Sequence, residues 1–583
     1  MSKVRLFILF LLLGGMGCLC AGNQLISQRR AKLIECGWDN PTIQFFHDHI
    51  REIEKIPYDG TRLKLERPVR KNGKETVHGW RTVTGTEKWN YEWFAEDLRL
   101  LKETKSDIYT DNFLVFGFPS CVPWDDAERW NVFCHNTAIM ARLAKEGGLK
   151  GFVLDTECYS SPLQFKYYGR EAEYEQTKKL ARERGRQFMK AIASEYPDMT
   201  LFTFLLFTMN GRFINSACPE ETLKNSDYSL KVPFLNGMLD ELPAQMKIVE
   251  GNESAGYTAA CREDLLQAYF NAVQVIRNST YVENQAKLKQ VQVGAAIYLD
   301  AYFVWRGERN EPYALFQELS PSGKLDAFRR MLGYTLEITD EYAWSWGECG
   351  EWWPMPLRKP AMDRITLMYR RDRMWVNSVP GIMEAFINAR KPLESAVKLI
   401  QEQKLPNLIR NASFDDVKND GAPAHWGIWA RGKQAVMKTL KESGAGKKDD
   451  SAAFAGNTPI ATFTQAFRVK PEEQFLISGY FRTDGNAKAS IEVGWGCGGR
   501  QRVELERILV EPVQKTEDGW IFCRSLFSVP PGRDLIFVHL YVSNAEKGKA
   551  YFDKIELHRI DYCPFYRQLL EKTTNMKPDN PAE

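Results

Sequence analysis

The chain of 583 residues is too long for one ordinary domain, and 44% apolar with 26% charged residues describe a globular protein with a large core. A net charge of +3 without a basic tract argues against a nucleic-acid partner. The excess is aromatic: 16 Trp, 23 Tyr and 33 Phe thicken a core and also suit sugar binding, where ring faces stack on the apolar CH surfaces of pyranoses.

Lys3 and Arg5 precede the apolar run Leu6–Leu13, and Gly14, Gly15 and Gly17 follow it. That order is a secretory signal over residues 1–21, too short to span a bilayer. Gly17–Cys18 offers a bacterial lipoprotein site as the alternative, although Gly15 stands where that motif wants Leu or Val. The expected location is therefore secreted or periplasmic, with a lipid-anchored bacterial surface form as the alternative. No second apolar stretch is long enough to cross a membrane. The cysteines after the leader are scattered, with no C-x-x-C or Cys/His cluster, so neither zinc nor a dense disulfide framework is expected. One or two disulfides fit, with pairing open.

From residue 22 to 378 one phrase repeats: a short apolar strand, a loop, an amphipathic helical stretch. Expected strands are Lys32–Trp38, Gly60–Glu66, Phe113–Pro119, Gly151–Glu157, Met199–Phe207, Gln245–Glu250, Val291–Asp300 and Tyr342–Glu348. Helical stretches include Glu128–Glu146, Glu173–Tyr196, Arg262–Arg277 and Ser322–Thr335, with Gly147-Gly148 as a C-cap. Near-continuous apolar strands alternating with helices predict a parallel sheet covered on both faces, and eight units predict a (β/α)8 barrel. No G-x-G-x-x-G or G-x-x-x-x-G-K follows the early strands, which removes the main case for a nucleotide-binding fold.

The active site of such a barrel lies at the C-terminal strand ends. The most informative of these ends is Gly151–Tyr159, GFVLDTECY. Asp155 and Glu157 are spaced i, i+2 and project from one strand face, with Cα atoms roughly 6.5–7 Å apart. Two acids so close cannot both ionise freely, and a carboxyl that keeps its proton near neutral pH is what a general acid needs. Glu157 is expected as the proton donor, Asp155 as its modulator. Its partner carboxylate is open among Asp300, Glu250 and Glu348. Trp38, Asp39, Trp124, Tyr159, Tyr298, Trp346 and Trp352 are the expected sugar contacts, the last two from the Trp-rich AWSWGECGEWW.

Residues 379–405 are expected as a helical linker. From Pro406 the character changes to alternating strands such as Gln474–Arg482, Ala489–Trp495, Leu535–Val542 and Ala550–Leu557, an antiparallel sandwich over 406–560. A short helix and a disordered end follow at 561–583. Asp415 and Asp553, on the first and last strands of the sandwich, motivate a structural calcium ion, whose hard charge suits carboxylate oxygens. No cofactor is expected for catalysis.

Two resemblances follow from these residues. The opening N-L-I-x-N-x-S-F-D at Asn407–Asp415, the W-x-x-W at Trp426–Trp429 and the closing Y-F-D-K-I-E-L at Tyr551–Leu557 resemble the jelly-roll carbohydrate-binding modules appended to secreted polysaccharide-degrading enzymes. The N-terminal part resembles a glycoside hydrolase barrel. One large clan of these has its acid/base Glu ending strand four and its nucleophile Glu ending strand seven. Glu157 matches the first position, Asp300 stands at the second, and Thr156 occupies the place of the Asn that usually precedes the acid. Gly151–Tyr159 also resembles the D-x-E-Y end of the chitinase strand-four motif, though Gly151, Phe152 and Val153 stand where the longer pattern carries two Asp. Together these imply an exported glycoside hydrolase acting on a polysaccharide or complex glycan. The alternative is a non-catalytic carbohydrate-binding surface protein whose barrel is only a scaffold.

Overall fold

In the computed structural model the described residues are 31–71, 74–157, 159–305, 315–316, 318–354, 366–367, 374–446, 450–498 and 503–574. The expected leader at 1–21 and the end of the chain after 574 lie outside them. The chain divides into two compact units, residues 31–390 with 565–574, and residues 391–564.

The first unit is an α/β barrel. Its parallel strands run Lys32–Glu35, Gly60–Leu63, Phe113–Gly117, Gly151–Asp155, Thr200–Thr203 and Lys247–Glu250, each beside the one before it. The seventh, residues 291–298, is broken at Gly294. Its first half, Val291–Val293, pairs with Lys247–Glu250, and its second, Ala295–Tyr298, pairs with Tyr342–Trp346. Because Tyr342–Trp346 in turn pairs with Lys32–Glu35, the ring closes. Glycine is required at the break: a Cβ on Gly294 would lie 2.7 Å from the Tyr342 carbonyl oxygen.

All eight apolar runs expected as strands are therefore strands of one sheet, and all but the sixth, which ends at Glu250 as expected, stop short of the C-terminal end that the sequence predicts. A helix follows each: Ile43–Ile53, Ala95–Glu103, Ala127–Glu146, Tyr174–Glu195, Lys231–Asp240, Arg262–Ser279, Pro321–Ile338 and Ile382–Arg390. Thr42, Asp126 and Ser320 cap three of them through side-chain oxygens. At the N-terminal end the barrel is filled. The rings of Phe113, Phe202 and Tyr342 pack with centroids 5.7–6.0 Å apart, and the Tyr342 hydroxyl donates to Asp111, which also pairs with Lys32 at 2.7 Å. Only the opposite rim can open.

The second unit starts with the helix Pro392–Gln403 and is otherwise an antiparallel β-sheet region of nine strands. The segments expected as separate strands at Leu535–Val542 and Ala550–Leu557 belong to one 26-residue strand, Leu535–Ile560. One edge pairs with Ala452–Arg468 from Leu535 to Phe552, while the other passes from Lys488–Cys497 to Gln474–Asp484. The handover falls at 544–548, where Asn544 takes a φ of +54°. Phe463, Ile477, Trp495, Leu540, Phe552 and Leu557 then meet in one core. Trp426 is buried in that core, whereas Trp429, three residues on, is 57% exposed.

Candidate active site

Side chains alternate along each barrel strand, so every second residue faces the axis. Carried past the strand ends, that parity selects Cys36 and Trp38, Arg62, Asp155 and Glu157, Phe204, Glu253, and Trp344, Trp346 and Glu348. These residues line one cleft of about 640 Å³ at the C-terminal rim. A second lobe of about 330 Å³ joins it through Trp38, Arg62, Asp155, Glu157 and Tyr159.

The floor of the larger cleft is an aromatic stack. Trp344 lies on Phe204 with centroids 4.3 Å apart and on Trp346 at 4.8 Å, and Trp346 lies on Tyr298 at 4.5 Å. Tyr257 meets Tyr298 and Trp346 edge-on at 5.2 and 5.1 Å. The Trp344 indole N–H donates to the Gly251 carbonyl at 2.8 Å, which ties the eighth strand to the loop carrying Glu253. Trp38 stands at the rim, 51% exposed, and Tyr159 is 83% exposed.

Four carboxyls line this cleft: Asp155, Glu157, Glu253 and Glu348. Asp155 accepts the Glu157 amide at 2.8 Å, which fixes the turn leaving strand four, and the Tyr159 hydroxyl donates to Glu157 Oε2. Burial raises Asp155 to about 6; the Glu157 charge adds to this, and the accepted amide and Arg62 oppose it. Glu253 is 9% exposed and accepts the Tyr257 hydroxyl at 2.9 Å. Burial, then repulsion from Glu157, raises it to about 8, so it holds its proton at neutral pH. Arg62 and Arg212 are the cations among these acids, Arg62 being held by the Asn40 side-chain oxygen at 2.5 Å and the Gly37 carbonyl at 3.3 Å, with its guanidinium 4.9 Å from the Phe204 ring centroid.

The structure brings Asp155, Glu157, Glu348, Trp38, Tyr159 and Trp346 to this cleft and assigns the other expected residues elsewhere. Glu250 falls one residue out of parity. It is fully buried and accepts the amides of Phe207 and Asn252 and the Thr208 hydroxyl, bracing two rim loops. Asp300 begins a short helix, Asp300–Phe303, and its buried carboxylate accepts the Tyr298 hydroxyl at 3.2 Å and the Glu348 amide. It positions Glu348 and does not line the cleft. Asp39 is likewise buried, accepting the Trp352 amide at 2.5 Å, while its carbonyl accepts the Trp353 indole N–H at 2.6 Å.

Trp352 consequently packs on Tyr58 and Phe386, Trp124 on Trp130 and Phe234, and Tyr298 supports the floor from within. Glu253, Tyr257, Arg62 and Phe204 were not singled out from the sequence. For Glu253 the signal was parity: it lies two residues past Gly251 on the inward face.

The two aspartates expected to hold calcium are already hydrogen-bonded within the chain. Both Asp553 oxygens accept backbone amides, from Ala445 and Lys554, and Asp415 accepts the Ser413 hydroxyl at 2.6 Å. Calcium takes six to eight oxygen ligands. Among the described residues no cluster of three or more His, Cys, Asp or Glu side chains could hold a metal ion. Cys36, Cys121, Cys134, Cys218, Cys261, Cys497 and Cys523 are free thiols, so none of them forms a disulfide. No helix among the described residues is long and apolar enough to cross a membrane.

Neither a protein-family model nor a curated protein matches this chain. Similar solved structures include a family 61 carbohydrate-binding module in complex with β-1,4-galactotriose, 10% identical over 27% of this chain and 99% of that one, with a TM-score of 0.19. A family 16 carbohydrate-binding module is 17% identical over 26% and 99%, TM-score 0.20. A xylan-binding domain from Paenibacillus barcinonensis is 16% identical over 26% and 92%, TM-score 0.20. Likeness at this level carries no argument about activity.

Proposed function

We propose that the chain is an exported glycoside hydrolase whose barrel cleaves a polysaccharide or complex glycan by carboxylate acid/base catalysis. One observation carries the reading: Glu157 and Glu253 line the same aromatic-floored cleft at the barrel rim, and burial with repulsion from Glu157 raises Glu253 to about 8. A carboxyl that keeps its proton at neutral pH, with a second carboxyl in the same cleft, is how one site runs acid and base chemistry together. Glu253, buried and protonated, gives its proton to the departing glycosidic oxygen. Glu157, oriented by Tyr159 and by the Asp155-bound turn, acts from the other side as nucleophile or as base on water. The proton expected on Glu157 from the sequence is thus reassigned to Glu253. A sugar ring lies against Trp38, which is half exposed at the rim above the aromatic floor. Export rests on the Lys3–Cys18 pattern.

The second unit is read as a jelly-roll carbohydrate-binding module. Its sheet sets Trp429, Thr462, Tyr541 and Ser490 in one row across four strands, on the side opposite the core residues Phe463, Ile491 and Leu540. Arg507 lies 6.0 Å from the Tyr541 ring centroid on the same side. An exposed Trp beside hydroxyls and a guanidinium is the chemistry of a sugar platform, and this favours glycan binding even if the barrel is inactive. The test is reducing-end release from plant, algal and host glycans by the mature protein and by Glu157→Gln. Release by the first and not the second supports the reading; binding without release by either leaves the non-catalytic alternative.

A further inference from the structure

The two lobes of the cleft differ in charge, and the difference defines a ligand. The larger lobe adds Glu253 and Glu348 to the shared carboxylates Asp155 and Glu157 and Arg212 to the shared Arg62, so four acids face two cations. The smaller adds no further acid and two cations, Lys64 and Arg81, to the shared Arg62, so three cations face two acids. Lys64 lies two residues beyond Arg62, on the inward face of the second strand. The hairpin Glu66–Lys71 with Lys74–Gly79 then returns the chain so that Trp80 and Arg81 reach the same lobe.

None of the three cations is fully engaged. Arg62 is held by neutral oxygens of Asn40 and Gly37. Arg81 sits over Trp80, its guanidinium carbon 4.3 Å from the ring centroid, and reaches Glu66 only at 4.0 Å, where Trp80 Nε1 already donates to the same oxygen at 3.2 Å. Lys64 is half-buried, and no side chain among the described residues bonds its ammonium. Burial lowers its pKa, with Glu66 and Asp39 opposing this and Arg62 and Arg81 adding to it. An ammonium that is partly desolvated and unpaired at the wall of a cleft is stabilised by an arriving anion.

We propose that the 330 Å³ lobe is a subsite for an acidic sugar, whose carboxylate or sulfate group is received by Lys64 and Arg81 beside Arg62 while its ring rests on Trp38 and Trp80. The larger lobe takes a neutral sugar. The substrate class is then an anionic glycan with its charged unit on the second-strand side of the carboxylates. This rests on reading Glu157 and Glu253 as a glycoside-cleaving pair.

The experiment measures binding to the full-length chain by calorimetry at about 50 mM salt, in the Glu157→Gln background so that no turnover intervenes. The probes are unsulfated chondroitin tetrasaccharide for a uronate, κ-carrageenan tetrasaccharide for a sulfate without uronate, and cellotetraose as the neutral control. At least one charged probe should bind about tenfold or more tightly than cellotetraose, with a preference that falls as salt rises. Lys64→Met should remove at least fivefold of that preference at unchanged melting temperature, and Lys64→Arg should restore most of it. Arg81→Gln, at an exposed position, should weaken the charged probe alone. Equal binding of all three probes, or an undiminished preference in Lys64→Met, overturns the subsite. Normal turnover by Glu157→Gln with the preference intact overturns the hydrolase reading and leaves the subsite standing.

Discussion

The Tyr257 hydroxyl donates to Glu253 Oε1 at 2.9 Å across one turn of the short helix Ser254–Thr258. That turn folds back from the sixth strand and brings a carboxyl into the cleft that Glu157 enters from the fourth. The bond holds the side chain of Glu253 in place while burial and the Glu157 charge keep its proton on.

Replacing Glu253 by Gln should lower kcat on a natural glycan by about a hundredfold to ten-thousandfold, with KM changed little. The loss should shrink on aryl glycosides whose leaving group needs no protonation. In the wild type the alkaline limb of the pH–rate profile should fall through about pH 8, as Glu253 deprotonates. An unchanged limb in Glu253→Gln would remove it from the acid role.

Stability should also depend on pH through two buried carboxyls. Burial, then the Asp39 charge, raises Glu35 to about 8, and Glu253 also stands at about 8, against an ordinary value of 4.5. Their folded-state proton affinity exceeds the unfolded one, so their stabilisation is complete below about pH 4.5 and is lost as pH rises through about 8. Each tenfold difference in proton affinity is worth about 1.4 kcal/mol. Glu35→Gln, which keeps an oxygen for the Thr61 hydroxyl, should flatten the fall in melting temperature between pH 5 and 8.5 by at least about 2 °C. A slope equal to the wild type's would refute the assignment.

Trp38→Ala should raise KM several-fold while changing the melting temperature by little, because the ring is half exposed at the rim. Trp346→Ala, by contrast, should cost about 3–5 kcal/mol of stability, since it removes the middle of the floor stack. Thermal melts beside initial rates distinguish the two effects.

How much of this was legible follows from parity. Eight apolar runs announced eight strands, because a strand buried on both faces carries its own signature in sequence. Asp155 and Glu157, spaced by two, kept their shared face in the fold. Glu250 and Asp39 fail to reach the cleft because of the way each side chain points: each is one residue out of step with its neighbour Gly251 or Trp38. Asp300 keeps the parity of Tyr298, yet the chain turns there into a helix, which no local pattern announced. Trp124, beside Asp125, and Trp352, beside Glu351, show that a Trp next to an acid past a strand end serves packing as readily as sugar. Lys64 and Arg81 drew no attention because a charge next to a strand is ordinarily solvated, and only the hairpin return brings them together.

A fragment of residues 391–564 should fold alone with a single cooperative melt, as it holds its own core. Trp429→Ala in that fragment should lose at least about fivefold in binding to the glycan that the whole protein recognises, with no change in melting. A fragment that binds as well without Trp429 would move the platform elsewhere on the sheet. EDTA should leave its melting temperature unchanged, since the Asp553 oxygens are taken by amides.

The most direct measurement of the central claim is the turnover of Glu157→Gln on the glycan that the wild-type protein cleaves. With Glu157 as the carboxylate opposite Glu253, kcat should fall by about a hundredfold to ten-thousandfold, while the bound glycan still protects the barrel against thermal unfolding. Near-normal turnover by Glu157→Gln would contradict the account, because the reaction would then be running without the residue on which the site is built.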